Sequence, residues 1–432
     1  MSASAEMRMW TNITGQIIEA EMTGVNAVKR SVQIRLKNGS IAEIPIESLS
    51  PPDKEYARQH WEQMQSAGGA PAASTPAVDV KKLPPRYASR FSADARLAKL
   101  LESGLTADAE AAVIRSLDGF KAKQNADGSW GRGNKCAMTG FALQCFLGHG
   151  ETPDSEAYGD SIMRGLMFLI ETAKKNPHGM LAETWEGGKS GAGTYEHAIA
   201  TDALGQYTLA RLGSKSLPGL REAYEKAIAL IISQQTPEGS WSYGGRDIAY
   251  NPQKGKDLSL ANWHFLALHT AQDCGLKIQG LESAMKKASS YIQDMQTKDG
   301  GFGASSREFH YNQWSLSGGA TAGLMLLDDS SAAQAQKGIR FIHNYLTAEP
   351  PEWDQSCNLY CWYGYTNALH QAGGAEWLSY AKKVSPQVTA AQESDGRFKS
   401  GRPNYPAGDA TDPTYRQALC TLILETPYRM AK

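Results

Sequence analysis

The sequence predicts a mainly α protein: an α/α toroid of six inner and six outer helices, preceded by a small β-barrel. Three observations carry this. A short phrase ending in an aromatic recurs, as Gln124-Asn125-Ala126-Asp127-Gly128-Ser129-Trp130 and Gln235-Thr236-Pro237-Glu238-Gly239-Ser240-Trp241. It returns, altered, as Gln296 to Phe302 and Gln392 to Phe398. A recurring phrase marks a recurring structural unit. Two kinds of helix alternate from about residue 84 onward. Before that, the chain alternates with the period of strands and then passes through a run of small residues and prolines.

In chain order, residues 15–23, 31–36 and 41–46 read as strands. Val32, Ile34 and Leu36 share one face, and Lys37-Asn38-Gly39 supplies a hairpin turn. Ser50-Pro51-Pro52-Asp53 opens a short helix, with proline tolerated in the first turn. The run from Ser66 to Ala77 has linker composition. The expected division is a β-unit over 1–66, a linker over 67–83 and a helical unit over 84–432. Amphipathic, charged helices are expected on the outside over 107–124, 157–174, 219–235, 280–296, 332–346 and 375–392. In the third, Ala223, Ala227, Leu230 and Ile231 form the buried stripe, with charges opposite. Helices small and apolar on every side are expected inside, over 136–148, 195–210, 259–273, 315–327, 358–372 and 413–425. A helix apolar all round is buried all round. In the recurring phrase, Gly ends the outer helix in a tight turn, the aromatic plugs the junction with the next unit, and Gln bonds exposed backbone at the helix end.

Composition narrows the classes of function. The chain has 432 residues, 44 basic against 45 acidic, with no Lys/Arg stripe, which disfavours nucleic acid as a partner. No run of 18 apolar residues suggests a membrane span. The first residues, Met1-Ser2-Ala3-Ser4-Ala5-Glu6, lack a basic and an apolar region, so no signal peptide is expected. A trimmed secreted or periplasmic chain and a cytoplasmic one both stay open. Six cysteines, none in a Cys-x-x-Cys pair, read as small apolar residues of helices rather than a disulfide framework.

The stretch Met9-Trp10-Thr11, Ile18-Glu19-Ala20, Ile44-Pro45-Ile46-Glu47-Ser48-Leu49-Ser50, Asp53 and Tyr56 resembles the Sla-type homology domain. That resemblance implies an SH3-like barrel that docks short peptides. The Gln…Gly-Ser-Trp phrase resembles the "QW" repeat of squalene and hopene cyclases, whose toroid is shared by protein prenyltransferase β-subunits. The resemblance spans about 340 residues and implies the ring, not the chemistry. The cyclase acid, Asp-x-Asp-Asp, is missing: Asp328-Asp329 follows an inner helix and Asp202 stands alone. The prenyltransferase zinc set is missing too, with Asp354-Gln355-Ser356-Cys357 one residue too long and Tyr415 where the His is expected. The chain is most similar overall to single-toroid prenyltransferase/squalene-cyclase-like proteins, through Cys136 to Leu143, Tyr195 to Thr201, Ser259 to Trp263 and Tyr360 to Gln371.

In a toroid the first turns of the inner helices converge on one mouth of the ring. Aligned on their leucines, these helices bring Tyr195, Trp263, His264, Tyr360, Trp362, Tyr363, Tyr365 and Tyr415 toward that mouth as candidate ligand-binding residues. Glu196, His197 and Asp412 are the candidate proton-handling residues; the helix dipole at the first turn favours the anion and lowers a His pKa. No metal and no cofactor is expected. The preferred reading is a binding or scaffold protein, holding a hydrophobic or glycan small molecule in an aromatic cavity, or a protein or peptide partner. One alternative is a terpenoid-processing enzyme with aromatic faces stabilising cations. The other is a carbohydrate-active enzyme, for which Glu196 and Asp412 are the inner-ring carboxylates expected to serve. The volume and lining of the central cavity separate these readings.

Overall fold

The computed structural model describes residues 7–26, 31–37, 40–57, 78, 80–176, 178–183, 192–211, 217–243, 256–310, 312–401 and 412–430. The chain divides into two compact units, Met1–Ala77 and Val78–Lys432. Most of the expected linker, and Asn38-Gly39 of the expected hairpin, lie outside the described residues.

The first unit is an antiparallel sheet in the order β1 (Met7–Thr11), β2 (Ile17–Asn26), β3 (Ser31–Leu36), β4 (Ile41–Pro45). β1 goes beyond the three strands expected from alternation. Its Trp10 is fully buried and donates to the Ala20 carbonyl at 3.1 Å. A helical stretch over 51–57 follows. The buried Asp53 carboxylate pairs with Arg8 and accepts from the Thr11 amide at 2.8 Å and the Ser50 hydroxyl at 2.8 Å, tying that stretch to β1.

The second unit is the ring. A 3-10 segment (Pro85–Phe91) leads into α1 (Ala93–Glu102). Outer helices are α2 (Ala107–Ala122), α4 (Gly159–Lys175), α6 (Leu220–Gln234), α8 (Leu281–Met295), α10 (Ala332–Ala348) and α12 (Gly374–Ala390). Inner helices are α3 (Lys135–Gly148), α5 (Ala192–Ala210), α7 (Leu258–Asp273), α9 (Gln313–Leu327), α11 (Leu359–Ala372) and α13 (Pro413–Arg429). The inner helices pack in that order, and α13 packs back on α3, so the ring closes. Every residue of α3 from Cys136 to Gly148 is buried, as an all-apolar helix requires. The last inner helix runs to Arg429 rather than 425.

The recurring phrase is the weld between outer helices. The aromatic plugs the junction with the next unit, Trp130 against Phe146 and Gly165 and Trp241 against His264 and Phe265. It also serves its own helix: Trp130 Nε1 donates to Phe120 O and Trp241 Nε1 to Ile231 O, both at 2.8 Å. Those carbonyls are among the groups a helix end leaves unpaired. The glutamine serves the neighbour. Gln124 donates to Ser161 O at 2.8 Å, Gln235 to Ala284 O at 2.9 Å and Gln296 to Gln334 O at 2.9 Å, each on the next outer helix. Gln392 donates to Ala112 O of α2 at 2.7 Å, which joins the last unit to the first. The phrase's glycines have no substitute. Gly239 and Gly396 have φ of +99° and +83°, and a Cβ on either would stand 2.1 Å from a carbonyl of the neighbouring helix.

Candidate functional site: two ends of one ring

Side chains of the inner helices fill the ring axis in layers. At the end where these helices begin, Asp257 caps α7, accepting from the Ser259 amide at 2.7 Å and the Ser259 hydroxyl at 2.6 Å. The Tyr243 hydroxyl donates to the same carboxylate at 2.8 Å. Tyr195 Oη lies 2.7 Å from Ser259 Oγ and 3.1 Å from Tyr243 Oη. Beside them, Tyr360 donates to Ser259 O at 3.2 Å and accepts from Asn262 Nδ2 at 2.9 Å. Tyr195, Tyr243, Ser259 and Tyr360 are half-buried.

The protons of this cluster can be counted. Tyr243 and Ser259 spend theirs on Asp257, Tyr195 is placed to donate to either of those two oxygens, and Tyr360 spends its own on backbone. Burial raises the Tyr195, Tyr243 and Tyr360 pKa values, so the phenols stay protonated. What remains open is lone pairs. Deeper, Asn262 Oδ1 is buried with no partner, another unused acceptor.

Below lies an aromatic floor. Trp263 of α7 stacks on Tyr363 of α11 with centroids 5.7 Å apart, and meets Phe141 of α3 edge-on at 5.2 Å. These helices alternate around the ring, so their contact fills its centre. Tyr415 packs edge-on against Phe141 at 5.6 Å. Beside the floor is a cavity of about 30 Å³, lined by Asn262, Trp263, Gly319, Tyr360 and Tyr363 among others, with room for about one water.

The far end is sealed. Arg90, from the 3-10 segment, donates to Arg429 O at 2.5 and 2.8 Å and to Gln206 Oε1 at 2.8 Å. A guanidinium on the last carbonyl of α13 also complements the helix dipole. Ser89 donates to Tyr428 O at 3.1 Å. Arg429 in turn reaches Tyr363 Oη and Asn367 Oδ1, both at 3.3 Å. Asp202 accepts from Thr270 at 2.5 Å. Glu425 is fully buried and neither carboxylate oxygen has a hydrogen-bond partner. Burial pushes the Glu425 carboxyl well up, with Arg429 and Arg90 opposing, and pushes Asp202 up as well. Burial lowers Arg90 to about 10. This layer of buried charged groups occupies the later turns of helices that the sequence reads as small and apolar on every side. It also adds Asp202 and Glu425 to Glu196 and Asp412 as inner-ring carboxylates.

The structure distributes the expected residues unevenly. Tyr195, Trp263, Tyr360, Tyr363 and Tyr415 gather at the mouth and its floor. His264, Trp362 and Tyr365 face the outer layer. His264 stacks on Trp241 at 4.5 Å, Trp362 meets Trp353 at 5.9 Å, and Tyr365 meets Tyr345 of the outer helix α10 edge-on at 6.1 Å. The candidate proton-handling residues do not meet. His197 Nδ1 accepts from the Leu181 amide and Nε2 faces Ala227 O, both at 3.0 Å. Burial lowers its pKa to about 4, so it is a neutral ring held by backbone on both sides. Glu196 accepts from the Cys136 amide at 3.1 Å, at the start of α3, and burial raises it to about 7. Asp412 caps α13 and accepts from the Arg132 amide at 3.0 Å. Among the described residues, no group of three or more metal-ligating side chains forms, and the six cysteines are free.

Neither a protein-family model nor a curated protein matches the chain. Solved structures do resemble its fold. A GH76 α-mannanase of Bacteroides thetaiotaomicron matches with TM-score 0.53 at 11% identity, over 74% of this chain and 95% of that one. The unsaturated glucuronyl hydrolase of Bacillus sp. GL1 matches with TM-score 0.50 at 10% identity, over 75% and 96%. A type II terpene cyclase from Scytonema matches with TM-score 0.47 at 13% identity, over 78% and 100%. At these identities the likeness establishes the α/α-toroid fold alone.

Proposed function

We propose that the protein binds a polyhydroxylated small molecule of the sugar class at the mouth where the inner helices begin. The observation that carries this is the proton count: hydroxyl protons turned inward onto Asp257, Ser259 and backbone, with oxygen lone pairs left over. Such a surface calls for a ligand rich in donors. The ring of Tyr415 and the half-buried Tyr360 add faces on which a sugar stacks. A glycan array tests it, with mannosides and uronides included because the two toroid hydrolases act on such sugars. Saturable binding to one glycan group, lost in Tyr360→Ala, is the expected result. An array with no signal, or one that prefers simple amines over every sugar, contradicts it.

A second reading, hydrolysis of that glycan, is favoured by the placement of two carboxylates. Asp257 and Asp412 cap α7 and α13, which stand opposite one another in the order of inner helices. Release of reducing sugar by the wild type and not by Asp257→Asn supports it. The terpenoid reading stays an alternative, and it needs more room than the cavity of about 30 Å³ beside Trp263 offers among the described residues. The N-terminal sheet is proposed as the SH3-like unit on sequence resemblance, and peptide binding by residues 1–66 tests that.

A further inference from the structure

His149 closes α3 at the sealed end of the ring, and its side chain is buried. Its two ring nitrogens face one carboxylate each. Nε2 lies 3.1 Å from Glu110 Oε1, on α2, and Nδ1 lies 3.2 Å from Glu151 Oε1, in the turn that follows. Burial opposes ionisation of both acids, but His149 and Arg96 outweigh it at Glu110, and His149 and Ser155 at Glu151, so both carboxyls are held low. A carboxylate only accepts. A neutral imidazole has a single N–H and would turn a lone pair on one of the two; only the imidazolium donates to both. The charges agree. Arg96 Nε donates to the same Glu110 oxygen at 2.8 Å, so two anions, one guanidinium and the ring sum to zero only when the ring is charged.

Three more titratable groups face this cluster. Tyr428 of α13 meets the His149 ring edge-on at 6.3 Å, Tyr158, bonded to Asp118, lies beside Glu151, and Glu425 of α13 faces Glu110, with Arg90 and Arg429 behind it. Burial raises all three, which favours their neutral forms. The cluster is tied twice to the 3-10 segment that seals this end. Arg96 Nη1 donates to Arg90 O at 2.8 Å. Gly150, next to His149, has φ of +88° and presses on the same carbonyl, so that a Cβ there would stand 2.2 Å from it. Arg90 is the residue whose guanidinium closes α13.

We propose that His149 is a proton-operated clasp: the charged ring, held between Glu110 and Glu151, locks the 3-10 segment onto the ends of α3 and α13, and loss of one proton frees that segment. Without the proton a lone pair faces a carboxylate and one buried negative charge is left uncompensated. The closed clasp holds one proton more than the open one, so opening is favoured as pH rises, by up to about tenfold in the opening constant per pH unit. The inference does not depend on the sugar reading, since the clasp is at the other end of the ring. The test is hydrogen exchange of the full chain from about pH 5 to about pH 9, read by mass spectrometry and corrected for the intrinsic rise of exchange with pH. Peptides from 85–102 report the clasp, and peptides from 259–273 serve as reference. Expected is protection over 85–102 that falls as pH rises while 259–273 keeps its own. Glu151→Gln changes a partly exposed side chain, and its amide accepts from a charged ring or donates to a neutral one, so the clasp stays closed. At the alkaline end this variant should be protected about tenfold or more above the wild type over 85–102. The proposal is overturned if 85–102 keeps its protection as pH rises, if 259–273 opens in step with it, or if Glu151→Gln behaves as the wild type. It is also overturned if Glu425→Gln abolishes the pH dependence, because the proton then belongs to Glu425.

Discussion

The two ends of the inner ring are built from the same helices and have opposite chemistry. At the mouth, α5, α7 and α11 contribute Tyr195, Asp257, Ser259 and Tyr360, neutral hydroxyls around one carboxylate, half-buried and with acceptors to spare. At the far end, α5 and α13 contribute Asp202, Glu425 and Arg429, and the 3-10 segment adds Arg90, all buried: Arg90, Arg429 and Asp202 bond neighbouring side chains and backbone, while Glu425 has no hydrogen-bond partner and faces the charge of the two arginines. The difference teaches what each end of the ring can do. A buried charge must be matched or the fold suffers, whereas a half-exposed hydroxyl is replaced by water at little cost.

That contrast can be broken at the sealed end first. Arg90→Ala strips Arg429 O and Gln206 of their partner and leaves buried carboxylates short of a cation; a loss of about 3–5 kcal/mol is expected in urea denaturation. A loss below about 1 kcal/mol would show that the segment is not a structural plug. Gly396→Ala attacks the closing seam, where left-handed backbone and the Arg115 carbonyl both refuse a methyl group. About 2–4 kcal/mol is expected, read as a shift in denaturation midpoint. Glu425→Gln sharpens the electrostatics. Its folded pKa stands above the unfolded value, so wild-type stability falls as pH rises from the unfolded carboxylate range toward the folded pKa. The variant therefore gains on the wild type as pH rises above the unfolded carboxylate range, by about 1.4 kcal/mol for each pH unit crossed below the folded pKa. A gain that grows instead toward acid would reverse the assignment. The smallest effect belongs to the mouth: Tyr195→Phe should cost about 1 kcal/mol or less, since a half-buried neutral hydrogen bond is worth little net.

The ring was legible because the signals that specify it are local and repeated. The Gln…Gly…aromatic phrase returns once per welded junction, and each Gly is demanded by a positive φ that no other residue adopts cheaply. Closure was expected from the count of six helix pairs, but the contact that makes it, Gln392 with Ala112, joins opposite ends of the unit and nothing local announces it. At the site, helix alignment brought the mouth tyrosines together, since first turns of parallel inner helices share a level. It missed Tyr243, which lies before its helix, and Asp257 and Ser259, although Asp-Leu-Ser is a capping signature. Glu425 and Arg429 were overlooked at the end of an inner helix. An acid one turn before an arginine on a helix that must be buried was the available clue. The side chains of Trp362 and Tyr365 were misdirected, because spacing alone does not say whether an aromatic on an all-buried helix faces the axis or the outer layer.

The most direct measurement is a calorimetric titration of the glycan selected on the array into three proteins: wild type, Tyr195→Phe at the mouth and Thr270→Val at the sealed end. A site at the mouth predicts affinity weakened about five- to tenfold in Tyr195→Phe, the worth of one hydrogen bond, and unchanged in Thr270→Val. Equal affinity in wild type and Tyr195→Phe, or a loss confined to Thr270→Val, would contradict the assignment of recognition to the mouth.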